Sequence, residues 1–212
     1  MSRDALRRAR KNTKRGTVIF DAPLSSLRDA VLDITPTATP GRFRLIDCIQ
    51  FTEHQTLRIL EFHGISRPAY AAISYTWRGI IGPPPAPMAA RGTFAVTGAE
   101  DGDPISIDLL FHACTAALRR PLRFDLEDTI TKYLWLDRLC IMQTSKDDKA
   151  WQIGRMYRLY EACNECIILP GGTRRLASLY EPTMWIHRGW TLQEAVAPRR
   201  AMLLFAWGSG HG

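Results

Sequence analysis

Between Tyr133 and Gly172 a buried-strand pattern, a polar loop, an amphipathic stripe and a second buried strand follow without interruption, an order that leaves few folds open. Tyr133, Leu134, Trp135 and Leu136 form a short apolar run ending on Asp137, and a loop from Gln143 to Lys149 comes next. Ile153, Met156, Tyr157, Tyr160 and Cys163 then recur at helical spacing, the stripe of a helix lying on a flat surface. Cys166, Ile167, Ile168 and Leu169 make the next strand, stopped by Pro170, Gly171 and Gly172. A crossover of this length predicts two parallel strands in one sheet with the helix over one face. Ligand sites in such sheets sit at the carboxyl ends of the strands, where Asp137 falls.

The rest of the chain is read around this unit. Residues 18–34 suggest a short helix on Leu24, Leu27, Ala30 and Val31, and 35–41, with Pro36 and Pro40, a linker. Residues 43–50 and 56–62 read as two strands forming a hairpin at the edge of the main sheet, and 70–77 as a core strand with a polar, aromatic end. Residues 82–87 are a proline-rich loop, 94–107 a hairpin around Gly98, Gly102 and Asp103, and Leu109, Leu110, Ala113, Ala116 and Ala117 the inner face of a helix. Met184 to Ala195 is expected to be helical and to bury Trp185, Trp190 and Leu192, and Ala201 to Trp207 to be a last, central strand before the tail 208–212. A chain ending there suggests a truncated product or a fragment of something longer. The fold class is therefore α/β, a mostly parallel sheet flanked by helices, with an N-terminal edge hairpin. The units are a disordered basic arm 1–15, an extension 16–67, a main domain 68–207 and the tail.

Charge is concentrated rather than spread. The formal net charge is +7, and residues 1–15 hold Arg3, Arg7, Arg8, Arg10, Lys11, Lys14 and Arg15 against Asp4 alone. With Leu6 as its only large apolar residue the arm cannot offset the cost of ordering. A solvated tail, a nuclear address, a transit peptide and a nucleic-acid arm are its readings. Nucleic acid is the weakest of them, since phosphate affinity without a reading surface is nonspecific. Five cysteines behind an arginine-rich start point to free thiols in a cytoplasmic setting, and no apolar run approaches a membrane span.

Three blocks carry a resemblance. Tyr70, Ala71, Ala72, Ile73, Ser74, Tyr75, Thr76, Trp77 and, after an inserted Arg78, Gly79 form the first. Leu136, Asp137, Leu139, Cys140, Ile141 and Gln143 match the second, from which Arg138 and Met142 depart; Arg188 to Glu194 match the third throughout. In this order, over about residues 68–205, they resemble the fungal heterokaryon incompatibility (HET) domain family. That resemblance implies self and non-self recognition, programmed cell death and action by self-association with other incompatibility or signalling proteins as partners. HET domains have been likened to TIR domains, which have a flavodoxin-like fold and in some members cleave NAD. NAD is thus implied as a substrate in the second reading, an NAD-cleaving hydrolase, and no resident cofactor is expected.

Candidate chemistry gathers at the ends of the strands. Cleavage of NAD passes through an oxocarbenium-like state that a carboxylate beside the ribose can stabilise. Glu194 is the candidate for that role, with Asp137 as the second catalytic carboxylate; Ser74, Tyr75, Trp77 and Trp190 are candidates for binding, the tryptophans by stacking. The competing reading has Glu194 paired with Arg188 or Arg138, Asp137 capping the next loop, and the tryptophans in the core. Cys163 and Cys166 form one C-x-x-C with His187 beyond it, too few ligands for a structural zinc, so no metal is expected. Cys140 reads as core.

Overall fold

The computed structural model describes residues 16–64, 68–82, 91–119 and 131–206. The basic arm 1–15, the proline-rich residues 83–87, Trp207 and the tail lie outside the described residues.

A seven-stranded sheet organises the molecule. In chain order the strands are β1 (Thr17–Pro23), β2 (Val31–Leu32), β3 (Phe43–Asp47), β4 (Thr56–Phe62), β5 (Tyr70–Tyr75), β6 (Thr93–Val96), β7 (Ile105–Ser106), β8 (Tyr133–Trp135), β9 (Glu165–Leu169), β10 (Ala177–Ser178), β11 (Ala201–Leu203) and β12 (Phe205–Ala206). The main sheet runs β1-β4-β3-β8-β5-β9-β11. Its first three neighbour pairs are antiparallel and its last three parallel. The sheet is therefore mixed, and the expectation of parallel strands holds only from β8 to β11. The connection from β3 to β4 is too short for a parallel crossover, which sets the antiparallel half. The strands at 133 and 165 are parallel as expected, but β5 lies between them.

Helices flank this sheet: α1 (Cys48–Thr52), α2 (Ile107–Leu118), α3 (Asp137–Cys140), α4 (Lys146–Ile153), α5 (Met156–Ala162) and α6 (Thr191–Val196). Every residue of β5 is buried, and so is most of α2, including Leu109, Leu110, Ala113, Ala116 and Ala117. Phe43, Tyr70, Trp135 and Tyr160 anchor one continuous core, with Phe43 edge-on to Tyr70 at 5.2 Å and Trp135 edge-on to Tyr160 at 5.9 Å. The hairpin of residues 94–107 is present as β6 and β7, joined to β2 in a small separate sheet.

Several local expectations are overturned. Residues 18–34 are not a helix: β1 pairs with β4 from Thr17↔Glu61 to Pro23↔Thr56, and only a single 3-10 turn, Leu24–Ser26, follows. Asp29 then takes a φ of 57°, which ends any helix there. The strand from Phe43 stops at Asp47, whose Oδ1 accepts from the Ile49 and Gln50 amides at 3.0 and 3.1 Å and turns the chain into α1. The β3–β4 hairpin lies inside the sheet, between β1 and β8.

The stripe from Ile153 to Cys163 is broken too. Ser145 caps α4 by accepting from the Asp148 amide at 3.2 Å, so the helix starts within the expected loop, and it stops at Gly154 before α5 begins. Tyr160 and Cys163 face the core together with Gln152 and Leu159, whereas Ile153 and Tyr157 are exposed. Near the C-terminal end, Trp185–His187 is a 3-10 turn separated from α6. Trp185 is buried, but Trp190 and Leu192 are exposed. The final stretch splits: β11 is the edge strand beside β9, not a central one, and β12 pairs with β10.

Candidate functional site

The site forms where the parallel strands end. Ser74 and Tyr75 are the last residues of β5, and Asp137 opens α3 two residues beyond the end of β8. Because successive strand residues point to opposite faces, Ser74 and Tyr75 reach different partners. The Ser74 hydroxyl donates to Glu194 Oε2 of α6 and accepts from Trp185 Nε1 at 2.7 Å. The Tyr75 hydroxyl donates to Asp137 Oδ1 at 2.6 Å. Arg188 closes the arrangement: its Nη1 donates to the Tyr75 carbonyl and lies 3.7 Å from Glu194 Oε2.

These groups back a cleft of about 290 Å³. Trp77, Asp137, Arg188, Trp190 and Glu194 line it, and Ile141, Gln143, Lys149, Ile153 and Met156 complete its wall. Of the six residues singled out from sequence, four line the cleft directly; Ser74 and Tyr75 stand behind it and hold its two acids. Asp137 Oδ1 also accepts from the Arg138 amide at 2.6 Å, while α3 itself, with Leu136 as its N-cap, has no side-chain cap. Glu194 has Arg188 as its ion partner, not Arg138. The Arg138 guanidinium is fully buried, donates to the Asp103 and Ala99 carbonyls and lies 5.6 Å from the centre of the Trp77 ring.

Burial raises the pKa of both acids. Desolvation is the largest influence on Asp137, opposed by the Tyr75 hydroxyl and the Arg138 amide. It is likewise the largest on Glu194, opposed by Ser74 and Arg188. Among the described residues each carboxylate takes its hydrogen bonds on one oxygen only, Oδ1 of Asp137 and Oε2 of Glu194. The other oxygen remains for whatever enters the cleft. Two acids with raised pKa, one cation held against the backbone and two tryptophans thus share one cleft, the kind of clustering found at functional sites.

The loop after β5 is fixed by close backbone packing. A Cβ on Gly79 would stand 2.0 Å from the Gly171 carbonyl oxygen, so only glycine lets this loop meet the one after β9. Gly79 N donates to Asp103 Oδ2 at 2.6 Å, and the inserted Arg78 donates to the Asp101 carbonyl at 3.0 Å. Trp77 is thereby held at the cleft.

Sequence reasoning missed several participants. Arg188 is read in the sequence as a partner for Glu194 but not as a wall of a cleft, and Trp185 only as a core aromatic. Gln143 appears in the sequence only as a letter of the second block, and Lys149 lies in what reads as a loop, where nothing in its spacing marks it. The cysteine pair is elsewhere: Cys163 and Cys166 are buried and free, burial pushes the Cys163 thiol up to about 12, and no metal-binding group of acids, cysteines and histidines occurs among the described residues. Burial also pushes the Cys140 thiol up to about 12, away from nucleophilic character.

The fold and site together define an α/β protein with a two-carboxylate cleft at the carboxyl ends of its parallel strands. The pattern of the heterokaryon incompatibility protein (HET) family matches residues 70–180, and the chain belongs to that family. The matched span contains β5, Asp137 and the α4–α5 wall of the cleft; Arg188 and Glu194 lie beyond it. No curated protein is matched. No solved structure is matched either.

Proposed function

We infer from membership of the HET family that the chain has a heterokaryon incompatibility-related role. We propose that it fulfils this role as a fungal signalling module of self and non-self recognition and programmed cell death, and that its cleft cleaves NAD. The observation that carries the reading is the placement of Glu194: buried, fixed through Oε2 by Ser74 and Arg188, with its other oxygen turned to no protein partner among the described residues. Within the parallel half the strand order β8-β5-β9-β11 is second, first, third, fourth in chain order. Flavodoxin-like sheets begin this way and bind ligands where the order reverses, which supports the TIR-like comparison.

In this reaction the bond between the nicotinamide nitrogen and the ribose breaks. The electron pair leaves with nicotinamide, which becomes neutral, and the ribose carbon becomes oxocarbenium-like. The ionised Glu194 stabilises that charge. Asp137, its pKa raised by desolvation, takes the proton of the attacking water. Trp77 and Trp190 stack on the ring. The test is nicotinamide release from NAD by purified protein at several concentrations, wild type beside Glu194→Ala and Glu194→Gln. Release that is lost in both variants is expected. No release from folded wild type at any concentration would make Glu194 a structural residue.

A second reading, action by self-association, has its own observation. Leu179, Tyr180, Met184, Ile186, Leu192 and Val196 are all exposed within one short stretch of the chain. Assembly through these side chains is independent of Glu194 and persists in Glu194→Ala. A cytoplasmic location fits both readings, with a nuclear one open to the basic arm. Among the described residues no helix is long and apolar enough to cross a membrane.

A further inference from the structure

The cleft carries two acids and two cations, and the cations differ in kind. Arg188 is engaged, donating to the Tyr75 carbonyl and facing Glu194. Lys149 is not. It comes from α4, on a different wall from Glu194 of α6, and lines the same cleft one helical turn from Ile153. Among the described residues no ion pair involves it. Glu100, whose carboxyl is held below its ordinary range first by the Gly98 amide, feels the Lys149 charge only as a smaller influence.

Lys149 is half-buried at the wall of a cleft whose other walls bring Asp137 and Glu194. An ammonium on the wall of the cleft offers an anion a charge-assisted hydrogen bond. The cleft thus joins two carboxylates, two tryptophans and the engaged Arg188 to a second cation, Lys149, that has no ion-pair partner among the described residues. A volume of about 290 Å³ is at the low end for small-molecule sites and suits one mononucleotide half better than a whole dinucleotide.

Resting on the NAD reading, we propose that Lys149 is the phosphate contact of the cleft. It orients a nicotinamide nucleotide so that the positively charged ring lies against Trp77, Trp190 and the two acids while the 5′-phosphate meets the ammonium. The ligand class follows: nicotinamide nucleotides with a phosphate on the ribose, and not the free riboside.

Titration calorimetry with the full chain separates this inference from the reading beneath it. The probes are nicotinamide mononucleotide and nicotinamide riboside, against wild type, Lys149→Ala and Lys149→Arg, with near-ultraviolet circular dichroism to establish that each is folded. Wild type is expected to bind the mononucleotide at least about tenfold more tightly than the riboside, the scale of one charge-assisted contact. In Lys149→Ala that ratio falls towards one while riboside affinity stays unchanged, and Lys149→Arg restores most of it. A ratio that survives Lys149→Ala, or riboside affinity that falls in step, overturns the phosphate contact and leaves the NAD reading intact. Folded wild type that binds neither probe overturns both.

Discussion

Asp148 and Glu194 are both buried acids facing an arginine, yet their oxygens are used differently. Asp148 Oδ1 accepts from the Gly41 amide at 2.9 Å and Arg44 Nη2 at 3.2 Å; Oδ2 accepts from Arg44 Nη1 and the Met142 amide, both at 2.9 Å. Neither side chain of the pair is exposed at all. Arg44 also donates to the Cys140 and Thr39 carbonyls, so β3, the linker, α3 and α4 are tied at one point. Glu194 has one hydroxyl and a more distant arginine, both on Oε2. The first acid is saturated by the fold. The second is held in place and left half available, the pattern expected where a carboxylate serves something outside the protein.

The largest effect that tests this contrast is on stability. Asp148→Ala leaves the Arg44 guanidinium buried without its counter-charge and strips the Gly41 and Met142 amides of their acceptor. Such a break costs about 3–5 kcal/mol. Glu194→Gln keeps an acceptor for Ser74 and should change stability by no more than about 1 kcal/mol. Urea unfolding of both variants beside wild type checks the pair. Equal losses would mean that Glu194 is a structural acid like Asp148.

A smaller effect concerns the other cleft acid. Tyr75→Phe removes a hydroxyl that opposes the desolvation of Asp137. The pKa of Asp137 is already above its unfolded value, so the stability tied to its protonated form is present below the unfolded pKa and lost as pH rises through the folded one. The variant should push that folded pKa higher still. Its cost relative to wild type, about 1–3 kcal/mol, should be full where Asp137 is ionised and shrink as acid protonates it. Carboxyl carbon NMR titration reports the shift, and thermal unfolding as a function of pH reports the cost. A cost that does not vary with pH would place the effect in packing rather than in charge.

Much of this arrangement was legible in the sequence because it follows strand ends. The run Tyr70–Tyr75 is apolar enough to be a buried strand, and the acid closing Tyr133–Leu136 falls at a carboxyl end wherever that strand is placed. The acids therefore converge once the sheet is parallel there. Other features depend on long-range partners that no local pattern records. Val18 to Phe20 become an edge strand because β4 offers a free side. Arg44 and Asp148 meet across about a hundred residues with no periodic signal. Trp190 and Leu192 look like core residues by composition, but Glu194 and Thr191 take the inward positions of α6. A short helix that buries two polar side chains and exposes apolar ones reverses the usual rule, and periodicity alone reads it backwards.

That reversal gives the smallest expected effect on the fold. Leu192 is 74% exposed on α6, and Val196, one turn on, is 70% exposed, whereas Glu194 between them is 6% exposed. If the inner face of α6 is the polar one, removing an outer apolar group takes away little that the monomer buries. Leu192→Ser should shift unfolding by no more than about 0.5 kcal/mol. A leucine that packed inward would instead cost about 2–5 kcal/mol on truncation. Sedimentation equilibrium on the same variant gives the measurement a second use. Should assembly weaken while urea unfolding is unchanged, the outer face of α6 serves association and its inner face serves the cleft. Should neither change, the apolar exposure of α6 has no part in self-association, and the acid side of the helix carries its function alone.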